Sequence, residues 1–135
     1  MGTVSIDHIA IPTANADRLI AFYKQLGFTI NDEAEWRAGK ANIFSIQVGD
    51  SKINVHPEGF TADLRGPTAV PGCGDICFVW EGAAEECKEW LEIKNVEIIR
   101  GPGPRKGARA GGSLPAVSLY ARDPDDNLLE WMIYL

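Results

Sequence analysis

The chain has 135 residues, which is enough for one compact domain or for two small modules that share a core. Its net charge of −6 disfavours a nucleic-acid partner, because binding to a phosphate backbone requires a basic face. No apolar run approaches the roughly 20 residues that span a bilayer, and no signal peptide is evident. We therefore expect a cytoplasmic protein that binds neither nucleic acid nor membrane.

The first half of the chain is predicted to contain a strand, a helix and three further strands. A β-rich run from Val4 to Ile11 ends at Pro12, which cannot donate to a strand ladder. The helix that follows has apolar residues at helical spacing and ends near Gly27. The later strands are expected at 28–30, 41–48 and 52–56, with a polar turn at 34–40.

The second half repeats this order. Strands are expected at 76–80 and 96–99 on either side of a helix at 83–93, followed by a hairpin of strands at 116–121 and 128–134. The glycine-rich segment 101–112 is interpreted as a mobile loop. Cys77 and Cys87 are expected to be buried, and an odd count of three cysteines indicates no disulfide framework.

The repeat predicts an α+β fold of two tandem βαβββ modules, each a half-open mixed sheet with its helix on the outer side. Module 1 spans residues 4–58 and module 2 spans residues 74–135, and a linker at 59–73 joins them into one domain, 1–135. Two such sheets side by side would enclose a cleft.

Candidate metal ligands lie at matching places in the two modules. Alternation along strands places His8 on one face of the opening strand, and it places Asn54 and His56 together on the closing strand. In module 2 the corresponding residues are Asp75 and Glu130. Imidazole and carboxylate groups suit a divalent ion such as Fe, Mn, Ni, Co or Zn. Whether Asn54 or His56 corresponds to Glu130 stays open at this point, and Asp75 is the weaker carboxylate because it begins its strand.

Other residues are candidates for binding a substrate. Arg105 and Lys106 in the glycine-rich segment are suited to hold an anion. Tyr120 and Arg122 share a strand face, and Trp36 is a candidate for an aromatic pocket wall. The apolar terminal run 131–135 is interpreted as an exposed edge strand that a second copy covers, which predicts a homodimer.

Several of these segments resemble the vicinal oxygen chelate superfamily, which includes glyoxalases, bleomycin resistance proteins and dioxygenases. They are Asp7-His8-Ile9-Ala10-Ile11, the stretch Ala21-Phe22-Tyr23 to Leu26-Gly27-Phe28, Lys52 to His56, Asp75-Ile76-Cys77-Phe78, and Arg122 to Glu130. The likeness extends over essentially the whole chain and is nearest to small proteins related to lactoylglutathione lyase.

The resemblance implies a small-molecule substrate and metal ligands on the first and last strands of each module, which here are His8 and Glu130. It implies a metal-dependent glyoxalase-like lyase or isomerase that chelates vicinal oxygens, with Glu130 moving a proton. The alternatives are an Fe(II)-dependent dioxygenase and a metal-free protein that binds an antibiotic or another small molecule. The family usually has histidine where this chain has Asp75, which leaves the choice open.

Overall fold

The computed structural model describes residues 2–135, which form two compact units with their boundary between Cys73 and Gly74. We call them the N-terminal unit and the C-terminal unit. No helix within residues 2–135 is long and apolar enough to cross a membrane.

The N-terminal unit is a four-stranded mixed sheet with two helices. Strand β1 pairs in parallel with β4, and the antiparallel neighbours β3 and β2 complete the strand order β1-β4-β3-β2. The elements in chain order are β1 (His8–Pro12), α1 (Ala16–Gln25), β2 (Ile30–Asn31), α2 (Glu33–Arg37), β3 (Phe44–Val48) and β4 (Ser51–His56).

The C-terminal unit has the same topology, with the strand order β5-β8-β7-β6 and a parallel pairing of β5 with β8. Its elements are β5 (Asp75–Val79), α3 (Ala84–Ile93), β6 (Arg100–Arg105), β7 (Ala116–Arg122) and β8 (Leu128–Tyr134), with a short 3₁₀ turn at Arg109–Gly112. The predicted fold class, two mixed four-stranded sheets built from βαβββ repeats, is confirmed.

Each sheet has an apolar face and a polar face, because side chains alternate along every strand. In the N-terminal unit, Ile46, Ile53 and Val55 are buried together with Leu19 and Tyr23 of α1. In the C-terminal unit, Leu129, Trp131 and Ile133 of β8 are buried together with Cys87 and Leu91 of α3. The opposite face of each sheet carries the polar residues described below.

The predicted polar turn at 34–40 is wrong in part, because residues 33–37 form helix α2. An ionic cluster stabilises this helix: Glu33 pairs with Lys24 of α1 at 2.5 Å and with Arg37 at 2.9 Å. The hydrogen bond from Lys24, followed by that from Arg37, lowers the pKa of Glu33. Local pattern analysis did not detect this helix, because the Lys24–Glu33 contact joins residues nine positions apart on two different helices.

The predicted strand at 96–99 is also wrong, and the predicted loop at 101–112 is wrong in part, because a strand takes up its first five residues. The strand is β6, residues 100–105, and it pairs with β7 across a register shift between Arg100 and Gly103. Gly101 is essential to this close pairing, because it has φ +96° and a Cβ there would stand 2.2 Å from the Ser118 carbonyl oxygen. The two glycines and two prolines of residues 100–105 are not typical of a strand, so the sequence pattern did not predict this bulged strand.

The terminal strand is not an exposed edge, which contradicts the prediction made from residues 131–135. Strand β8 lies between β5 and β7, and Trp131, Met132 and Ile133 are buried. The edges of the two sheets are β1 and β2 in the N-terminal unit and β5 and β6 in the C-terminal unit. The predicted homodimer therefore loses the observation on which it was based.

A buried turn fixes the start of β5 against the start of β8. The side-chain oxygen of Asn127 accepts a hydrogen bond from the Gly74 amide at 2.8 Å, and its side-chain nitrogen donates to the Asp123 carboxylate at 2.8 Å. The Leu128 amide donates to the Gly74 carbonyl at 3.0 Å. Since Asp75 follows Gly74 directly, this turn determines where Asp75 lies relative to β8.

We predict that Asn127→Asp lowers the free energy of unfolding by about 2 kcal/mol or more at pH 7, because Oδ2 of the buried Asp123 carboxylate loses its side-chain donor and faces a second carboxylate. Denaturant unfolding measures the change. The matched control is Asp126→Asn in the same turn, at an exposed position with φ +71° that asparagine adopts readily, and its effect should stay within about 0.5 kcal/mol. Equal stabilities of the two variants would contradict the assigned role of Asn127.

Candidate functional site

On the polar face of the C-terminal unit, the two candidate carboxylates are diagonal neighbours. Glu130 of β8 is in register with Cys77 of β5, while Asp75 is in register with Leu128. Asp75 and Glu130 therefore lie on adjacent parallel strands, two residues apart along the strand direction, and their side chains project from the same face.

The polar face of the N-terminal unit repeats this offset. His8 of β1 is in register with Lys52 of β4, and Asn54 lies two residues further along β4. Asn54 is thus at the position equivalent to Glu130, and His8 is at the position equivalent to Asp75. The register answers the question that alternation left open about which β4 residue corresponds to Glu130.

His56 lies at the far end of the same strand pair. Its partner on β1 is Pro12, four residues beyond His8, which corresponds to about 13 Å along the strands. The ring of His56 packs edge-on against Phe60, with 5.5 Å between ring centroids. Side chains stand roughly perpendicular to a sheet, so the two imidazoles lie too far apart to reach within about 2 Å of one ion.

Two features prepare the His8 and Asn54 positions for a ligand. The Nδ1 atom of His8 is hydrogen-bonded to the Asp7 carboxylate at 2.7 Å, which orients the ring and leaves Nε2 as the outward nitrogen. The side-chain oxygen of Asn54 is buried and accepts no hydrogen bond from residues 2–135. A buried acceptor without a donor is costly, so Asn54 is suited to contact a cation or a donor from outside the sheet.

One of the two carboxylate oxygens of Glu130 is hydrogen-bonded to a neighbouring strand. The Ser118 hydroxyl on β7 donates to Oε2 of Glu130 at 2.6 Å, which leaves Oε1 for another partner. Burial, followed by the charge of Glu130, raises the pKa of the neighbouring Cys77 thiol to about 12. Cys77 as a residue is nevertheless exposed, against the prediction that it is buried, whereas Cys87 is buried as predicted.

A cleft of about 370 Å³ opens on this face, and it belongs wholly to the C-terminal unit. Three of the predicted residues on β6 and β7, Arg105, Tyr120 and Arg122, line it together with Asp75 and Glu130. The full lining is Asp75, Ile99, Arg100, Arg105, Tyr120, Arg122, Leu128 and Glu130. The structure therefore brings three of the five candidate substrate-binding residues and the two candidate carboxylates to one place.

The arginines of the cleft are fixed in different ways. Arg105 donates through Nε to the Tyr120 hydroxyl at 2.8 Å and lies over the Tyr120 ring, 5.3 Å from its centroid. Arg122 donates to the Asp126 carbonyl at 3.0 Å. Arg100 was missed by sequence reasoning because the strand was placed at 96–99, although a lone basic residue beside a Gly-Pro-Gly-Pro run was visible.

Two predicted residues lie outside this cleft. Lys106 follows β6 and is absent from the cleft lining. Trp36 of α2 packs against Phe44, with 5.1 Å between ring centroids. Phe44 belongs to the apolar face, so Trp36 lies on the opposite side of the N-terminal sheet from Asn54.

The segment after β6 is packed against the sheet rather than forming a loose flap. Arg109 pairs with Glu81 at 2.9 Å and lies over the Tyr134 ring, 4.5 Å from its centroid. A Cβ at Gly107 would stand 2.0 Å from the Tyr134 hydroxyl oxygen and 2.3 Å from the Met132 sulfur. Gly107 therefore has a packing role, and Arg109 lies outside the cleft lining.

Within residues 2–135, no three His, Cys, Asp or Glu side chains converge closely enough to hold a metal ion. Each unit instead presents two donors with the same diagonal offset: His8 with Asn54, and Asp75 with Glu130. The donor types and the buried oxygen of Asn54 fit a divalent cation, because such ions are bound by imidazole, carboxylate and carbonyl groups.

Comparisons with known proteins agree with the fold. The chain is 31% identical to "Glyoxalase domain-containing protein RDO1" of Mycosarcoma maydis over 96% of this chain and 68% of that protein. It is 30% identical to virulence protein STM3117 of Salmonella typhimurium over 96% of this chain and 84% of that protein.

Solved structures give the same result. The crystal structure of STM3117 superposes with a TM-score of 0.83 at 28% identity and covers 100% of both chains. A lactoylglutathione lyase from Agrobacterium tumefaciens has a TM-score of 0.69 at 20% identity, over 98% of this chain and 96% of that one, which is a likeness of fold alone. With residues 5–131 matching its family model, the chain belongs to the Glyoxalase/Bleomycin resistance protein/Dioxygenase superfamily.

Proposed function

We propose that this protein is a metal-dependent glyoxalase-like enzyme, a lyase or isomerase that binds two neighbouring oxygens of a small substrate. The observation that carries the proposal is the matched diagonal pair in each unit, His8 with Asn54 and Asp75 with Glu130. Its family membership supports it, since proteins of this superfamily commonly use divalent metals.

Each pair is proposed to offer its two side chains as ligands to a divalent ion: His8 with Asn54 in the N-terminal unit, and Asp75 with Glu130 in the C-terminal unit. A bound divalent ion would supply Lewis-acid stabilisation of negative charge that develops on substrate oxygens. Asp7 orients the His8 ring, and Asn54 contributes a side-chain oxygen that has no donor of its own within residues 2–135. His56 is not part of the proposed set, because of its distance from His8 along the same strands.

Glu130 is the proposed general base. The Ser118 hydroxyl holds Oε2, so Oε1 can take a proton from the carbon next to a substrate carbonyl and return it to the neighbouring atom. This step is an isomerisation of the substrate, with no net gain or loss of protons or electrons. Asp75, in place of the family's usual histidine, adds negative charge beside Glu130 and strengthens the attraction of this pair for a cation.

The dioxygenase alternative is less well supported. Its two-histidine, one-carboxylate set would require both histidines of the chain, His8 and His56, at one ion. Their separation on one sheet argues against that arrangement. A metal-free binding protein is the remaining alternative, and the experiments below distinguish it from the enzyme.

We predict that the purified protein, stripped with a chelator and titrated calorimetrically with Mn²⁺, Co²⁺, Ni²⁺ and Zn²⁺, binds at least one of these ions. His8→Ala should weaken binding at the pair of the N-terminal unit at least tenfold, and Glu130→Gln should do the same at the pair of the C-terminal unit, because each removes one ligand of its pair. His56→Gln is the matched control and should change the affinity less than twofold. A wild type that cannot be loaded with any ion, or a His56→Gln loss equal to that of His8→Ala, would overturn the metal proposal.

We predict that the metal-loaded protein exchanges hydrogen for deuterium at the carbon next to the carbonyl of its substrate. NMR in D₂O can follow this exchange across a panel of 2-hydroxy and 2-oxo acids and of thiohemiacetals formed from methylglyoxal. Glu130→Gln should abolish exchange, and Ser118→Ala should reduce kcat more than it changes KM, because Ser118 only positions the base. Tight binding of a compound without exchange or turnover would favour the binding-protein alternative.

The electrostatic effect of Glu130 on its neighbour Cys77 can be tested directly. A negative Glu130 raises the pKa of the Cys77 thiol, so Glu130→Gln should lower that pKa and increase the thiolate fraction at a given pH. We predict faster alkylation of Cys77 by iodoacetamide in Glu130→Gln at pH 8 to 9, measured by mass spectrometry of the metal-free protein. Alkylation of exposed Cys73 is the internal control and should not change. An unchanged Cys77 rate would mean that Glu130 does not contribute to the raised pKa of Cys77.

A further inference from the structure

The cleft of the C-terminal unit has an uneven distribution of charge. Its lining contains three arginines and two carboxylates, although the chain as a whole has a net charge of −6. The carboxylates, Asp75 and Glu130, lie on β5 and β8, whereas Arg100, Arg105 and Arg122 lie on β6 and β7. One side of the cleft is therefore acidic and the other is basic.

The strand register relates the two sides. Arg100 is in register with Tyr120, which is in register with Glu130, so these three form one row across β6, β7 and β8. Two strand spacings separate the backbones of Arg100 and Glu130, about 10 Å. Arg122 begins a parallel row through Leu128 to Asp75. Each carboxylate thus has an arginine across the cleft from it.

The guanidinium groups on the basic side are not neutralised by the protein. Within residues 2–135, none of the three arginines forms an ion pair with a carboxylate. Arg105 and Arg122 donate hydrogen bonds to uncharged oxygens, namely the Tyr120 hydroxyl and the backbone carbonyls of Pro104 and Asp126. Like charges gathered on one sheet face repel one another, and an anion between them relieves that repulsion.

The backbone is specialised to present Arg100. The register shift between Arg100 and Gly103 bends β6, and bulges of this kind re-aim a side chain. Gly101, with φ +96° and no room for a Cβ against Ser118, makes the bend possible. Arg100 is exposed, and the bend directly after it sets the direction in which its side chain leaves the strand.

We propose that the substrate carries an oxyanion group, a carboxylate or a phosphate, which Arg100, Arg105 and Arg122 bind opposite the Asp75 and Glu130 pair. This inference rests on the proposed function in one respect, since it takes the acidic side as the place where the vicinal oxygens bind. The substrate is then a small bifunctional acid, with a chelating pair of oxygens at one end and the oxyanion a few bonds away. Arginine is suited to this role because its planar fork matches both oxyanions.

The test measures binding of malate, 2-phosphoglycolate and inorganic phosphate to the chelator-treated protein by calorimetry or NMR titration, so that no metal is involved. We expect at least one probe to bind with a Kd below 10 mM, as an order-of-magnitude threshold for a weak specific site. Arg100→Gln and Arg122→Gln should each weaken it at least tenfold. Dimethyl malate, which keeps the vicinal oxygens without the charges, should not bind.

The matched control is Arg109→Gln, which removes the same charge from the same unit at a residue paired with Glu81 outside the cleft lining. It should change the affinity less than twofold. Preference for malate over phosphate identifies the oxyanion as a carboxylate, and the reverse preference identifies a phosphate. The proposal is overturned if no probe binds, or if Arg109→Gln weakens binding as much as Arg100→Gln does. Because the probes are tested on metal-free protein, a failure of the metal-binding experiment would not change the outcome of this one.

Discussion

The parallel pairing of the first and last strands of each unit is the constraint on which the candidate site depends. In this pairing a shift of one residue would turn every side chain to the other face of the sheet. The diagonal offset of His8 and Asn54, and of Asp75 and Glu130, exists only in the observed register. In the C-terminal unit the buried Asn127 side chain fixes that register at the strand ends.

The same constraint separates two kinds of polar residue. Donor groups for a cation lie on the paired first and last strands, whereas the arginines lie on the two strands added beyond them. A metal ion would offset the repulsion between Asp75 and Glu130, and an anion would offset the repulsion among the arginines. A substrate with a cation-chelating end and an anionic end would offset both repulsions on the polar face of the C-terminal sheet. A bifunctional acid is therefore a better match for this face than a neutral molecule.

Sequence patterns predicted most of the fold because alternation and helical spacing are local properties. They located α1, α3 and the strands β4, β5, β7 and β8 closely. They failed at β6, where residues 100–105 contain two glycines and two prolines and are held as a strand by pairing with β7. Sequence patterns also failed for strand β8, because an apolar strand has the same sequence pattern at the edge and in the middle of a sheet.

The site was predictable in composition but not in register. The sequence alone identified His8, Asp75 and Glu130 as candidates, and Arg105, Tyr120 and Arg122 do line the cleft. The choice between Asn54 and His56 required the register, because both residues face the same way. Arg100 could be recognised as a site residue only once the bulged strand β6 was known. Ser118 could be recognised only from its cross-strand hydrogen bond to Glu130.

The two repeats have also diverged in a manner that the topology makes visible. Across from Asn54, the N-terminal sheet carries Ser45 and Asn31, two neutral residues joined by a hydrogen bond of 3.1 Å. The equivalent row across from Glu130 carries Tyr120 and Arg100. Only the C-terminal row can recognise an anion, whereas the N-terminal row is neutral and already hydrogen-bonded. The two units thus share one strand topology and one residue offset. They differ on the strands beyond the parallel pair, where only β6 and β7 carry the arginines proposed to bind a charged substrate.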